Sequence, residues 1–340
     1  MLEPKQVLRE FNLHASPLSE APDQGLINNT WVVGNPPSHI LQWVNPIFSP
    51  LIHHDLEVIT RHMHNKGLTT PLLIKTQSGN LSCSDEEGCW RVWSFIKGST
   101  VHSIESPKTA HAAGQLVGKF HCALADLNHQ FTAPKRDIHN TPARMKDLED
   151  ALNRAAGHPL EKEAVAIGTH ILQLWNNWDG TLAQPERICH GDLKISNLRF
   201  DEAGEEGVCL IDLDTVGTGS FAVEMGDAFR SWCNRSKEDE PELASFDVDI
   251  FSYGVKAWIE SAPQLSILER ESIVSGIERI CLELSARFCA DALNNSYFKE
   301  DRMRFPQKGS HNLTRAKSQV TLAQSVHQQR SQCELLLKSL

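Results

Sequence analysis

The sequence predicts an α+β fold in two lobes, a small antiparallel β-rich lobe over residues 1–97 and a larger, mainly α-helical lobe over residues 98–340. Three observations predict it. Short runs rich in β-branched and aromatic residues, at 31–33, 40–44, 72–75 and 89–96, crowd the first hundred positions and are separated by Gly, Pro and Asn turns. Beyond Lys97-Gly98-Ser99 the apolar residues recur at helical spacing for most of the remaining chain. A chain of 340 residues is also long enough to divide between two lobes.

Taken in order, residues 1–14 read as a short amphipathic helix with Val7, Leu8 and Phe11 on one face, closed before Pro17. Gly25 and the polar Asn28, Asn29 and Thr30 lead into the run at 31–33. The turn Gly34-Asn35-Pro36-Pro37 then joins it to the run at 40–44, which makes a hairpin. A hairpin that covers nucleotide phosphates and a plain surface hairpin both fit this pattern. Residues 50–64 read as a helix whose His53, His54, His62 and His64 do not place three ligands on one face, so they are expected to be solvated and to hold no metal. The runs at 72–75 and 89–96 close the sheet. Lys97-Gly98-Ser99 is the expected hinge, with adenine against backbone near Phe95, Ile96 and Lys97, because clefts between lobes favour ligands.

In the second part, Ala110, Ala113, Leu116, Val117, Phe120, Leu124 and Leu127 mark a core-facing helix over 107–128, on which His121 reads as a buried, hydrogen-bonded side chain. Further helices are expected at 142–152, 162–178, 246–260, 267–293 and 313–340. Asp227 is expected to cap a helix or steady a loop.

The chemistry is concentrated between 190 and 214. In His190-Gly191-Asp192-Leu193-Lys194-Ile195-Ser196-Asn197 four residues separate Asp192 from Asn197, the spacing at which an acid receives a hydroxyl proton and an amide holds Mg²⁺ in a kinase catalytic loop. Leu198-Arg199-Phe200, a turn at 201–207 and the apolar run from Val208 form a second hairpin that returns the chain to its start. It delivers Asp212, with Asp214 beyond it, to the mouth of a buried strand, where a carboxylate beside Asn197 suits a hard cation. A kinase carries a phosphate-gripping Lys on a strand where this chain has Gln42. The grip is therefore expected from Mg²⁺, loop amides or Lys194.

Composition narrows the classes. A net charge of −10 and a pI near 5.9 argue against a general nucleic-acid or anionic-membrane binder and favour a small-molecule substrate. The nine cysteines form no Cys-x-x-Cys pair, so neither a zinc site nor a disulfide framework is expected. The charged amino terminus and the lack of a long apolar run predict a cytoplasmic protein.

These segments resemble the aminoglycoside phosphotransferase and choline kinase superfamily, and within it the N-acetylhexosamine 1-kinase type of sugar kinase. The resemblance runs through Leu26 to Thr30, Ile40 to Asn45, Phe95 to Ser99, His190 to Asn197, Ile211 to Thr215, Gly226 to Arg230 and His311 to Arg315. It implies a bilobal protein-kinase-like fold, ATP with Mg²⁺, Asp192 as catalytic base, and Asn197 and Asp212 as metal ligands. It also implies a small-molecule acceptor, an N-acetylhexosamine phosphorylated at its anomeric hydroxyl, in a monomer or homodimer. Arg287 and Tyr297 are carried as sugar contacts, and Lys194 as the residue that steadies the transferring phosphoryl group.

Overall fold

A computed structural model describes residues 2–21, 27–84, 87–134 and 139–340; Gly25 and Leu26 of the covering hairpin lie outside them. The fold is α+β and kinase-like, an antiparallel sheet followed by a mostly helical region. The first part holds α1 (Pro4–Glu10), β1 (Leu18–Glu20), β2 (Asn29–Val33), β3 (His39–Val44), α2 (Ile52–Asn65), β4 (Leu73–Ile74), β5 (Cys83–Ser84) and β6 (Cys89–Ser94). Its strands are ordered β1-β2-β3-β6-β4, with β5 also on β6, and all pairs are antiparallel.

Side chains on a strand alternate between faces, and here the alternation fills two separate contacts. Val33, Leu41, Trp90 and Val92 bury against Val7, Leu8 and Phe11 of α1. Val44, Cys89 and Trp93 turn the other way, to Leu56, Ile59 and Met63 of α2 and the main core. Gln42 and Arg91, directly opposite each other in the β3–β6 register, share that second face.

The chain then forms β7 (Ser99–Thr100), α3 (Pro107–Leu124), α4 (Thr141–Asn153), α5 (Glu161–Asn176), β8 (Arg187–Cys189), β9 (Leu198–Phe200), β10 (Gly207–Leu210), β11 (Gly217–Gly219), α6 (Phe221–Trp232), α7 (Val248–Ser261), α8 (Ile267–Glu271), α9 (Ile273–Asn294) and α10 (Ser310–Ser339). β9 pairs with both β10 and β7, and β8 pairs with β11. Helix α9 is buried along almost its whole length and packs on α4, α5, α6 and α10. Two of the helix crossings depend on glycine. A Cβ on Gly276 of α9 would lie 2.0 Å from the Ala222 carbonyl oxygen of α6, and one on Gly114 of α3 would lie 2.1 Å from that of Gly254 in α7.

Several expectations are corrected. The helix expected over 107–128 stops at Leu124, and the one over 267–293 breaks at Ser272 into α8 and α9, the first opened by a capping box between Ser266 and Glu269. The run from Val208 leaves the sheet after Leu210 because Asp212 adopts a left-handed conformation, φ 60°. His54 and His64 are exposed as expected, but His53 is buried, with its Nδ1 on the Pro50 carbonyl. Asp227 is not a helix cap; Ser220 caps α6.

None of the nine cysteines is in a disulfide. Cys122 is exposed, Cys83 half-buried and the other seven buried, and burial pushes the thiols of Cys209, Cys281, Cys289 and Cys333 up to about 12. Among the described residues no helix is long and apolar enough to cross a membrane.

Candidate active site

The loop between β8 and β9 carries the first group. Gly191 takes φ +79°, and a Cβ there would meet the Thr215 carbonyl oxygen at 2.8 Å, so glycine lets the loop turn tightly against the return segment. Lys194 Nζ donates to Asp192 Oδ2 at 2.6 Å. Asn197 Nδ2 donates to the Asp192 carbonyl at 2.8 Å and to Oδ2 at 3.0 Å, which leaves Asn197 Oδ1 without a hydrogen bond among the described residues. The Ile211 amide donates to the Asn197 carbonyl at 2.9 Å and sets the next residue, Asp212, beside the loop.

Asp212 is open to solvent along the cleft yet hemmed in by protein, and that bulk raises its carboxyl pKa against the opposing pull of Lys194; Asp214 and Asp192 raise it further. Its carboxylate makes no hydrogen bond among the described residues. A free carboxylate and a free amide oxygen on adjoining segments fit a hard divalent cation that takes its remaining ligands from water and phosphate. No cluster of three or more His, Cys, Asp or Glu side chains among the described residues competes as a metal site. Burial alone would lower the Lys194 pKa, but Asp192, Asp212 and Asp227 outweigh it and keep the ammonium charged.

Helix α6 supports this loop from beneath. Glu224 accepts from the His190 and Gly191 amides at 2.6 and 2.9 Å and pairs with His121 Nε2 at 3.1 Å. Trp258 Nε1 donates to His121 Nδ1 at 3.0 Å, which places the imidazole proton on Nε2, toward Glu224. Ser231 Oγ accepts from the Ile195 amide at 3.0 Å, and Trp232 Nε1 donates to the Leu193 carbonyl at 2.8 Å. Loop-steadying thus falls to Glu224, Ser231 and Trp232, while Asp227 pairs with Arg230 at 2.8 Å. On the other side, His139 Nε2 lies 3.2 Å from the Gly191 carbonyl and its Nδ1 2.8 Å from Glu283.

The amino-terminal sheet meets the site through Arg91, which the sequence reading passed over. Its Nη1 and Nη2 reach the two oxygens of Asp214 at 2.5 and 2.8 Å, and its Nε and Nη2 reach Gln42 Oε1 at 3.0 and 2.9 Å. Trp93 Nε1 also donates to Gln42 Oε1, at 2.9 Å, and Gln42 Nε2 donates to Thr30 Oγ1 at 3.2 Å. Asn28 Nδ2 donates to Asp214 Oδ2 at 2.7 Å, while its Oδ1 accepts from the Asn45 amide. The signal was available in Cys89-Trp90-Arg91-Val92-Trp93, where a guanidinium in an apolar strand requires a buried partner.

The remaining expected residues fall in three places. Asn29 is exposed at the start of β2. Phe95 and Ile96 follow β6 at the crossing between the two parts, and the Phe95 amide is used by the Ser38 carbonyl. Arg287 and Tyr297 do come together, the guanidinium carbon 5.6 Å from the ring centre and 5.4 Å from that of Phe298. They line a cavity of about 540 Å³ with Arg144, Asp147 and Asp291, and Asp192, Lys194, Asn197 and Asp212 are not in its wall.

A sheet on a helical base, with a loop presenting an acid, a lysine and an amide at its mouth, defines the class as kinase-like α+β proteins. Residues 20–249 match the phosphotransferase enzyme family, and the chain belongs to that family. Solved structures share the fold over nearly the whole length. The amicoumacin kinase complex with AMP-PNP, Ca²⁺ and Ami has a TM-score of 0.64 at 13% identity, covering 94% of this chain and 93% of that one. A microcompartment-associated aminopropanol kinase has 0.64 at 15%, covering 98% of each chain. An aminoglycoside phosphotransferase from Alicyclobacillus acidocaldarius has 0.60 at 16%, covering 98% and 97%.

Proposed function

We propose that this phosphotransferase is an ATP-dependent small-molecule kinase that phosphorylates a sugar hydroxyl, the anomeric hydroxyl of an N-acetylhexosamine. The observation that carries the kinase reading is the convergence of Asp192, Lys194, Asn197 and Asp212 through one loop and one hairpin. Asp192 accepts the acceptor's hydroxyl proton at Oδ2 or Oδ1, and Asn197 keeps that carboxylate aimed by donating to it. Lys194 holds its charge beside Asp192 and stabilises the oxygens of the transferring group. Asn197 Oδ1 and Asp212 would hold Mg²⁺, which when bound neutralises charge on the terminal phosphates. Asn29 and Thr30 frame the nucleotide from the sheet, the side chain of Asn28 being committed to Asp214 and the Asn45 amide, and the segment at Phe95 and Ile96 borders adenine.

The nucleotide is supported by the amicoumacin kinase, which was solved with AMP-PNP and Ca²⁺. The sugar is supported by the residue resemblance; the pairing of Arg287 with Tyr297 suits hydroxyl recognition, but their cavity has none of Asp192, Lys194, Asn197 or Asp212 in its wall. A polycationic acceptor is less well served. Glu238 lies 3.9 Å from Arg230 and 3.5 Å from Arg315, and Asp239 pairs with Arg304 and His311, so this acidic loop is largely neutralised.

The experiment is ADP release from ATP and Mg²⁺ with a panel of N-acetylhexosamines, neutral hexoses, choline, homoserine and an aminoglycoside. One N-acetylhexosamine should stand out. Asp192→Asn should reduce its turnover by about a thousandfold and leave ADP binding within a few fold. Turnover by Asp192→Asn at the wild-type rate would refute the assignment of the base.

A further inference from the structure

Where a kinase strand offers lysine to the nucleotide phosphates, this chain offers Gln42. We infer that Arg91, Asp214 and Asn28 form a latch between the sheet and the metal-binding turn, in which Arg91, from β6, is a positioning residue that acts on the turn and not on the phosphates. This rests on the kinase reading above.

Register comes first. Gln42 and Arg91 are cross-strand partners on one face, so the guanidinium emerges where a cation at position 42 would have stood. Gln42 has become its holder: Oε1 accepts from Nε and Nη2 and fixes the plane of the fork. Four N–H groups of Arg91 are committed to Gln42 and Asp214, and its side chain is 1% exposed. A guanidinium so engaged does not reach out to a phosphate. It acts through Asp214.

Asp214 sits in the short 3-10 turn Leu213–Thr215, two residues after Asp212. Both its oxygens are held by Arg91, and Asn28 adds a third bond from the residue just before β2. Its side chain is likewise 1% exposed. A bidentate pair buried at both ends allows one orientation, and losing either partner leaves an uncompensated charge. The turn that presents Asp212 is therefore referenced to β2, β3 and β6. From α2 the neighbour is His53, whose charge is suppressed by burial and by Arg91, its pKa falling to about 4. A neutral imidazole does not compete with the guanidinium for Asp214.

The test is isothermal titration of ADP with and without Mg²⁺ on the full chain, comparing wild type with Arg91→Lys, Arg91→Met and Asn28→Ala. Wild type should bind ADP more tightly with Mg²⁺. Arg91→Met should remove at least tenfold of that gain while changing metal-free affinity less than threefold. Arg91→Lys keeps the charge but not the fork, and should lose part of the gain. Asn28→Ala removes one bond of three and should lose less. Should Arg91→Met not fold, as thermal melting will show, the other two variants decide. An unchanged Mg²⁺ gain in both, or equal losses with and without metal, overturns the latch alone. A wild type with no Mg²⁺ gain overturns the kinase reading, and the latch with it.

Discussion

Glu224 shows how much a single buried side chain governs the loop above it. Its two oxygens receive the His190 and Gly191 amides and the His121 ring, with the tautomer fixed from behind by Trp258. The carboxyl pKa is held below its usual value because these contacts outweigh the burial that would raise it. Glu224→Gln keeps the shape but turns one acceptor into a donor that faces an N–H. It should cost about 1–3 kcal/mol of stability and lower kcat at least tenfold, with KM for the acceptor little changed. Thermal melts and steady-state kinetics on one preparation check both, and a drop in stability alone would reduce Glu224 to a core residue. Asp212 is set by its backbone as well as by its charge. A left-handed residue other than glycine carries strain of about 1–3 kcal/mol, and functional sites are where such strain collects.

At the level of elements, the helical crossings are set by backbone approach. At Gly276 the α9 backbone lies so close to α6 that the Ala222 carbonyl would stand 2.0 Å from an added Cβ. Gly276→Ala forces the helices apart and should destabilise the protein by about 1–3 kcal/mol or more, with the melting temperature falling at unchanged ADP affinity per folded molecule. A variant that melts with wild type would show that α6 and α9 yield easily.

The helices were legible because their apolar faces repeat locally. Their ends were not: the stripe of α9 passes Ser272 without changing period, and β1, three largely exposed residues, has no alternation to display. The grouping of Asp192, Lys194, Asn197 and Asp212 was legible because they lie within one loop and one hairpin. Arg91 and Asp214 are 123 residues apart. The sequence showed a charge in an apolar strand but not what answers it, and no spacing rule spans such a gap.

For the molecule as a whole, the His139–Glu283 pair ties the segment before α4 to α9 against the catalytic loop. Burial lowers the His139 pKa, but Glu283 outweighs it, so the folded value lies above the ordinary 6.5; Glu283 is shifted below 4.5. A raised histidine stabilises fully below its unfolded pKa and loses this as pH rises through the folded value. A lowered glutamate stabilises above its unfolded pKa and loses this as pH falls through the folded value. The pair therefore contributes most between about pH 4.5 and 6.5. His139→Gln should show its largest melting deficit near the middle of that window and a smaller one at alkaline pH; a deficit flat across pH would mean that ionisation of the pair contributes nothing to stability.

The distribution of thiols turns the protein into its own breathing meter. Cys122 is exposed and Cys83 half-buried while the other seven thiols are buried, so a brief pulse of alkylating reagent at neutral pH should label Cys122 first and Cys83 after it in the native chain. Each later addition then marks an excursion that uncovers a particular position. Cys89 reports on the sheet, Cys189 on β8 and Cys209 on the β9–β10 hairpin, and Cys281, Cys289 and Cys333 on the α9–α10 base. The order in which mass spectrometry finds them labelled, with and without nucleotide, should read out which part loosens first; Cys89 labelling before Cys281 and Cys289 would show the sheet to be the less stable unit.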